Sequence, residues 1–189
     1  MSAAFARASL LLWAFAMTVL IGSLMATHWI VLPAPAVGDE TKLADAEACE
    51  NLQVFHVLYM DCPCARRIAE HLGNRGRLKE SRETVLLLGQ NPDMAKRMIE
   101  AGFLVESLTS QELFEKHGIE SSPLLLVTDR DGTVIYSGGY TDVKQGIGIR
   151  DVEIIRKIAA GKTVMPLPVF GCAVSERLQK QTDPLRLKY

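Results

Sequence analysis

The chain has 189 residues, of which 48% are hydrophobic, and its formal net charge is −1. This length suits one globular domain with an appendage. The near-neutral balance, without a large basic block, argues against the proteins that bind nucleic acid through charge, and we expect no nucleic-acid partner.

The N-terminal region is an uncharged apolar segment. No Asp, Glu, Lys or Arg lies between Arg7 and Asp39, and residues 10–32 are nearly all apolar. A helix needs roughly 20 such residues to cross a bilayer. Because Arg7 precedes the segment and acidic residues follow it, the positive-inside rule predicts a cytoplasmic N-terminus and an exported remainder. We therefore predict a single-pass membrane anchor in residues 1–32, with membrane contact through residues 10–32.

A cleaved signal peptide is the alternative interpretation of this segment. Residues 34–36, Ala-Pro-Ala, carry small residues two positions apart, as a cleavage site does. The apolar segment is longer than the apolar region of a usual signal peptide, and a proline beside the cut is unfavourable. These features favour an uncleaved anchor, and both interpretations export the domain that follows.

After the anchor, the chain divides into three predicted parts. Residues 33–48 are expected to form a linker and a short helix, residues 49–181 a folded domain, and residues 182–189 a tail. The first core strand of the domain covers residues 52–59 and contains His56. Because a histidine within a strand is usually a hydrogen-bonded core or edge residue, we expect a structural role for it.

Two thiols follow this strand, in the sequence Cys62-Pro63-Cys64, and apolar residues then recur at helical spacing. Proline suits the first helical position, which makes Cys62 the N-cap and puts Cys64 in the first turn. Backbone N–H groups and the helix dipole favour a negative charge there, so we predict an ionised and accessible sulfur. A disulfide across one residue would close a small, strained ring, and strained disulfides are labile, which indicates a redox role.

The remaining pattern alternates strands and helices. Further strands are predicted at residues 84–88, 124–128 and 133–137. Further helices are predicted at residues 91–100, 109–117 and 149–160. The last two strands are joined by a turn containing Asp131-Gly132, and a hairpin makes antiparallel neighbours, whereas parallel strands need helical crossovers. The predicted fold class is therefore α/β, a mixed sheet with helices on both faces.

In this order and spacing, two motifs resemble those of the thioredoxin superfamily, and the match covers residues 52–160. One is Pro63-Cys64 at the strand-to-helix junction, and the other is Ser122-Pro123 leading into a strand. The resemblance implies a thioredoxin-like mixed sheet, with a cis peptide bond before Pro123 that faces the cysteines. It also implies that the Ser122 backbone is available to pair with an extended client strand.

The exported, tethered layout is similar to that of membrane-bound thioredoxin-like proteins of the bacterial periplasm. This similarity implies a location in the inner membrane, with the folded domain on the periplasmic side. Protein thiols and disulfides are then the expected partners, and no cofactor is expected.

The spacing of the thiols departs from the family pattern, which has two residues between the cysteines where this chain has Pro63 alone. Aligning Pro63-Cys64 with the family puts Cys64 at the resolving position and Asp61 at the position of the usual nucleophile. We predict Cys62 as the nucleophile, because an N-cap side chain is the more exposed of the two. Cys62 would attack a client disulfide, and Cys64 would then release the reduced client.

The predicted function is therefore that of a thiol–disulfide oxidoreductase. Ser122 and Pro123 are expected to form the wall of the site opposite the cysteines. Three roles are open for Cys172. It could be a third thiol at the active site that relays electrons, form a structural bridge to Cys49, or be a buried thiol. Cys49 itself is predicted to be structural.

Two other functions are compatible with the paired thiols. A copper-binding metallochaperone would use Cys62 and Cys64 as soft ligands, with His56, His117 or Met60 nearby, although no fixed ligand spacing supports it. A thiol peroxidase would use Cys62 to reduce peroxide, but the threonine-rich turn expected before such a cysteine is missing from the sequence. Bound copper, measured beside disulfide reduction, distinguishes the first alternative from the predicted oxidoreductase.

Overall fold

The protein is described by a computed structural model over residues 3–26, 30–40, 43, 52–144 and 146–183. These residues fall into two compact units, one ending at Ile30 and the other beginning at Val31. The predicted short helix before residue 49, the cysteine Cys49 and the predicted tail beyond Asp183 lie outside the described residues.

The first unit holds helix α1, Ala3–Ala26. Within it, Phe5–Ser23 is long and apolar enough to cross a membrane, with a mean hydropathy of 1.7. The helix begins and ends earlier than the predicted segment at residues 10–32. The following β-branched residues and Pro33 favour extended backbone, which explains why the helix does not continue to residue 32.

Residues 31–40 belong to the second unit, where the sequence suggested the end of an anchor and a linker. Leu32 is buried, and its N–H donates to the carbonyl of Val169 at 2.9 Å. The N–H of Val134 donates to the carbonyl of Asp39 at 2.8 Å. The segment therefore packs along the domain, with a turn at residues 37–38, because its backbone groups find hydrogen-bond partners there.

The second unit is built on a five-stranded sheet. Its strands are β1 (Leu52–Tyr59), β2 (Ser81–Leu88), β3 (Leu104–Leu108), β5 (Leu124–Thr128) and β6 (Val134–Gly138). Their order across the sheet is β3-β2-β1-β5-β6. β1, β2 and β3 run parallel, whereas β5 is antiparallel to both of its neighbours. A separate two-stranded sheet pairs β4 (Ser121–Ser122) with β7 (Cys172–Ala173).

Helices cover both faces of the sheet. They are α2 (Pro63–Arg75), α3 (Pro92–Glu100), α4 (Ser110–His117), α5 (Asp151–Ala159) and α6 (Glu176–Thr182). Side chains of β1 alternate between two apolar cores, with Val54 and Leu58 facing the core of α2, α3 and α5. Phe55 and Val57 face the core of α4 and α6. The predicted α/β fold, a mixed sheet flanked by helices and preceded by one N-terminal apolar helix, is confirmed.

Candidate functional site

The two cysteines of the predicted motif lie where β1 ends and α2 begins. Cys62 is the N-cap residue of α2, with φ −89° and ψ 119°, and Pro63 occupies the first turn. The Cys62 N–H donates to the Tyr59 carbonyl at 3.0 Å, and the Cys62 carbonyl accepts the N–H of Arg66 at 3.0 Å. These bonds turn the strand directly into the helix, as the sequence predicted.

The exposure of the two sulfurs is the reverse of the prediction. Cys62 is 0% exposed, whereas Cys64 is half-buried and lines an open pocket. The Cys62 side chain also makes no capping hydrogen bond with the first turn of α2. The prediction of Cys62 as the accessible thiol is therefore wrong, because the backbone of Ser122 and the side chain of Cys172 cover its sulfur.

The protonation of Cys62 also differs from the prediction. A hydrogen bond with Cys172 is the largest cause of its shift and raises the pKa of Cys62, while a hydrogen bond with Cys64 lowers it. Burial raises the pKa of Cys62 further. A hydrogen bond from the Ala65 N–H lowers this pKa, but its effect is smaller. The net result is a raised pKa, so Cys62 holds its proton despite the helix dipole. Both neighbouring thiols, Cys64 and Cys172, thus act on the protonation of Cys62.

The Ser122–Pro123 peptide bond is cis, as the resemblance implied. The Ser122 hydroxyl donates to the Val57 carbonyl at 3.1 Å and accepts the Tyr59 N–H at 2.8 Å. These bonds fix β4 to the end of β1, immediately before the cysteines. The Ser122 carbonyl oxygen consequently lies 4.0 Å from the Cys62 sulfur. The fold therefore brings Ser122 and Pro123 to the cysteines.

The backbone of Ser122 is not available to a client strand, so that implication of the resemblance is wrong for this chain. Ser122 pairs with Cys172, and Ser121 pairs with Ala173, in an antiparallel ladder. The protein's own β7 thus occupies the edge beside the cis proline. The same pairing carries Cys172 to the sulfur of Cys62.

Gly171 allows β7 to approach this closely, which makes it a sensitive position. A Cβ atom at Gly171 would lie 2.0 Å from the Ser122 carbonyl oxygen and 2.7 Å from Cδ of Pro123. We expect Gly171→Ala to displace β7 and to lower the free energy of unfolding by about 1–3 kcal/mol, measured by urea denaturation. Gly148→Ala is the matched control, because a Cβ there meets nothing within 4 Å. Equal stability of the two variants would contradict the close packing of β7.

Beside Cys64 lies an apolar pocket with a volume of about 320 Å³. Its walls are formed by Pro63, Cys64, Arg67, Ile68, Pro123, Tyr140, Thr141, Pro168 and Phe170. The guanidinium of Arg67 is held by the carbonyl oxygens of Gly146 and Ile147 at the rim. The pocket gives an incoming group access to the Cys64 sulfur and to cis Pro123, while Cys62 stays buried.

Pro123 was predicted as a wall of the site, but Tyr140 and Phe170, which also line this pocket, were not. Tyr140 comes from the turn after β6, and Phe170 comes from the segment before β7. Glycines stand next to both aromatic residues in the sequence. Because glycine permits close backbone approach, they were the signal for tight packing at this place. A Cβ at Gly139, for example, would lie 2.1 Å from the carbonyl oxygen of Pro168.

A network of buried polar groups begins at the pocket wall. Nε2 of His56 donates to the Glu83 carboxylate at 2.9 Å, and Nδ1 lies 2.8 Å from the hydroxyl of Tyr140. Glu83 also accepts a hydrogen bond from Arg75, which in turn donates to Asp151 at 2.8 Å. His56 is 0% exposed and fully engaged, so the predicted structural role is confirmed. These bonds leave the ring of His56 unavailable to a copper ion.

The network ends near the surface of α2. His71, which is partly exposed, donates to Asp151 at 3.0 Å. Among the described residues there is no group of three or more His, Cys, Asp or Glu side chains that could hold a metal ion. The polar groups around the thiols therefore pair with one another.

No protein-family model and no curated protein sequence matches the chain. An uncharacterized conserved protein from Geobacillus kaustophilus superimposes with a TM-score of 0.53 and 16% identity, covering 77% of this chain and 97% of that one. A hypothetical protein from Sinorhizobium meliloti 1021 gives 0.51 and 15%, covering 77% and 95%. These proteins share the fold.

A weaker overlap involves the thioredoxin domain of a thiol-disulfide oxidoreductase from Bacteroides vulgatus. It has a TM-score of 0.36 and 18% identity, and it covers 56% of this chain and 83% of that one. An overlap this partial supports no conclusion about the chemistry of the present chain. The activity has to be inferred from the thiols themselves.

Proposed function

We propose that this protein is a membrane-anchored thiol–disulfide oxidoreductase that exchanges disulfides with client proteins outside the cytoplasm. The observation that carries the proposal is the accessible Cys64 thiol in the first turn of α2, beside cis Pro123 and an apolar pocket. A second thiol, Cys62, lies directly behind it. An exposed thiol with a resolving thiol within reach is the arrangement that disulfide exchange requires.

The exposures of Cys62 and Cys64 support roles opposite to those that the sequence suggested. Cys64 as thiolate attacks one sulfur of a client disulfide, forming a mixed disulfide and releasing the first client thiolate. Cys62 then attacks the Cys64 sulfur, its proton passes to a client thiolate, and the second client sulfur leaves. Two electrons pass from Cys62 and Cys64 to the client. The same steps in reverse oxidise a client dithiol, with the disulfide of the protein as the electron acceptor.

The position of Cys64 supports this assignment. It lies in the first turn of α2, where the N–H groups and the helix dipole favour a negative charge. Pro63, Ile68 and Phe170 give the pocket an apolar lining that suits a side chain beside the client disulfide. Burial of Cys62 keeps it from reacting with clients directly, which suits a resolving thiol.

The membrane location is part of the proposal. Helix α1 has the length and apolarity of a membrane span. Arg7 precedes most of its apolar residues, and acidic residues follow it, which orients the domain outward by the positive-inside rule. We propose an uncleaved anchor in the inner membrane, with the domain on the periplasmic side.

The proposed activity is tested with the full chain purified in detergent. We expect it to accelerate the reduction of insulin by dithiothreitol, because it supplies a positioned thiol pair. The same protein after alkylation with iodoacetamide should give only the uncatalysed rate. Copper per chain is measured by mass spectrometry on the same preparation. Tight stoichiometric copper without any acceleration would contradict the proposal and favour a metallochaperone.

A further inference from the structure

A third thiol lies against the proposed redox pair. Cys172 is only 8% exposed, and it belongs to the same apolar cluster as Cys62. Its strand partner is Ser122, whose carbonyl oxygen lies 4.0 Å from the Cys62 sulfur. Cys172 also lies close enough to Cys62 to raise the pKa of the Cys62 thiol. No disulfide joins Cys62, Cys64 and Cys172 in this structure.

The position of Cys172 is fixed by its surroundings. β7 is held between β4 and the helix that follows it, since Ser175 caps α6 and also donates to Glu120. The Val174 N–H donates to the Glu120 carbonyl at 2.8 Å. The exposed guanidinium of Arg177 pairs with the same Glu120 carboxylate. Cys172 is therefore placed beside Cys62 by a folded segment, without any movement of the chain.

The alternative bond, between Cys62 and Cys64, is geometrically unfavourable. These residues are separated only by Pro63, and α2 begins there. A disulfide across a single intervening residue closes a small ring and would strain the first turn of α2. Strained disulfides have more oxidising potentials and exchange readily with a neighbouring thiol. Because Cys172 lies on β7, a disulfide between Cys62 and Cys172 would not have to span a single residue.

We propose that the disulfide this protein stores joins Cys62 to Cys172, with Cys64 as the thiol that meets the client. The proposal rests on the proposed oxidoreductase function and names the residue that completes it. After Cys62 has formed a transient disulfide with Cys64, the thiolate of Cys172 attacks the Cys62 sulfur. The Cys62–Cys172 bond forms and Cys64 leaves as a thiolate. Overall, Cys62 and Cys172 have lost two protons and two electrons to the client disulfide, and Cys64 is free to react again.

The disulfide is located by peptide mapping of the full chain in detergent. The protein is oxidised in a glutathione buffer, quenched with acid, alkylated, and cleaved on the N-terminal side of aspartate. Cleavage before Asp61 separates Cys49 from Cys62 and Cys64, and Cys172 lies in a third peptide, residues 151–182. We expect the peptide of residues 61–92 to be linked to that of residues 151–182.

Three variants assign the sulfurs. The link should persist in Cys64→Ser and in Cys49→Ser, and it should disappear in Cys62→Ser. At a fixed glutathione ratio, Cys172→Ser and Cys172→Ala should each lower the equilibrium constant for oxidation by about tenfold or more, because only the strained bond is left. Circular dichroism checks that these variants fold.

The failures of the two proposals are distinguishable. A disulfide confined to residues 61–92, or a bond between Cys49 and Cys172, would overturn the present inference even if wild-type protein reduces insulin. Failure of wild-type protein to exchange with insulin would instead overturn the proposed function. An unchanged equilibrium constant in both Cys172 variants would also count against the inference.

Discussion

We expect Cys64→Ser to lower the rate of insulin reduction by on the order of a hundredfold or more, because no mixed disulfide with the client can form without the attacking sulfur. Cys64 is half-buried at an open pocket, whereas Cys62 is 0% exposed. A client sulfur therefore reaches Cys64 first. The rate is measured with the full chain in detergent, with dithiothreitol as the electron donor.

Cys62→Ser gives the contrasting result that separates the two roles. Cys64 would still attack the client, but the resolving thiol behind it would be missing. We therefore expect a covalent complex between Cys64 and the client to accumulate, visible as a band on a non-reducing gel that disappears with reductant. Cys49→Ser is the matched control, since Cys49 has no part in the proposed exchange. Accumulation of the complex in Cys64→Ser, with Cys62 as the attached residue, would reverse the assignment.

The buried Glu83 is expected to be the most costly charge to remove. Its side chain is 0% exposed and binds both His56 and Arg75, and the Arg75 side chain is only 10% exposed. Removing one partner of a buried ion pair leaves the other charge uncompensated, at a cost of about 3–5 kcal/mol. We expect Glu83→Gln to lower the free energy of unfolding by about 3 kcal/mol, measured by urea denaturation.

A surface ion pair provides the control for this prediction. Glu153 pairs with Arg150 and Lys157 on α5, but its side chain is 44% exposed. Exposed pairs are screened by solvent and contribute little. Glu153→Gln should therefore unfold at nearly the same urea concentration as the wild type. If Glu83→Gln lowered the free energy of unfolding as little as Glu153→Gln does, the buried network would not stabilise the fold.

The contribution of Glu83 also has a defined pH dependence. Burial by itself would raise the pKa of Glu83, but hydrogen bonds from His56 and Arg75 outweigh it and lower the pKa from 4.5 to about 2. A carboxyl group with a lowered pKa stabilises the folded state above its ordinary pKa, and this stability is lost as the pH falls through the folded value. The stability difference between wild type and Glu83→Gln should therefore shrink between pH 4.5 and pH 2. A difference that stays constant over this range would contradict the assignment.

Much of the fold could be predicted because its signals are local. The apolar run of β1, the cap-and-proline start of α2 and the glycine turn between β5 and β6 each depend on residues close together in the chain. The position of Cys62 at the N-cap was anticipated in this way, whereas the cis bond before Pro123 was implied by the resemblance to the thioredoxin superfamily. Leu32 was assigned to the anchor, because apolarity alone does not distinguish a residue of a membrane helix from one buried in a folded domain.

The sequence by itself determined that two thiols stand where a strand meets a helix, and the resemblance to the thioredoxin superfamily implied that a proline-led strand lies opposite them. Only the tertiary structure decided which sulfur meets solvent. β7, distant in sequence from α2, covers Cys62, occupies the edge at Ser122 and brings Cys172 into the site. The exposure and the pKa of a thiol depend on such packing between segments that are remote in the sequence. The helix dipole at the N-cap is a local property, and here burial and a neighbouring thiol outweigh it.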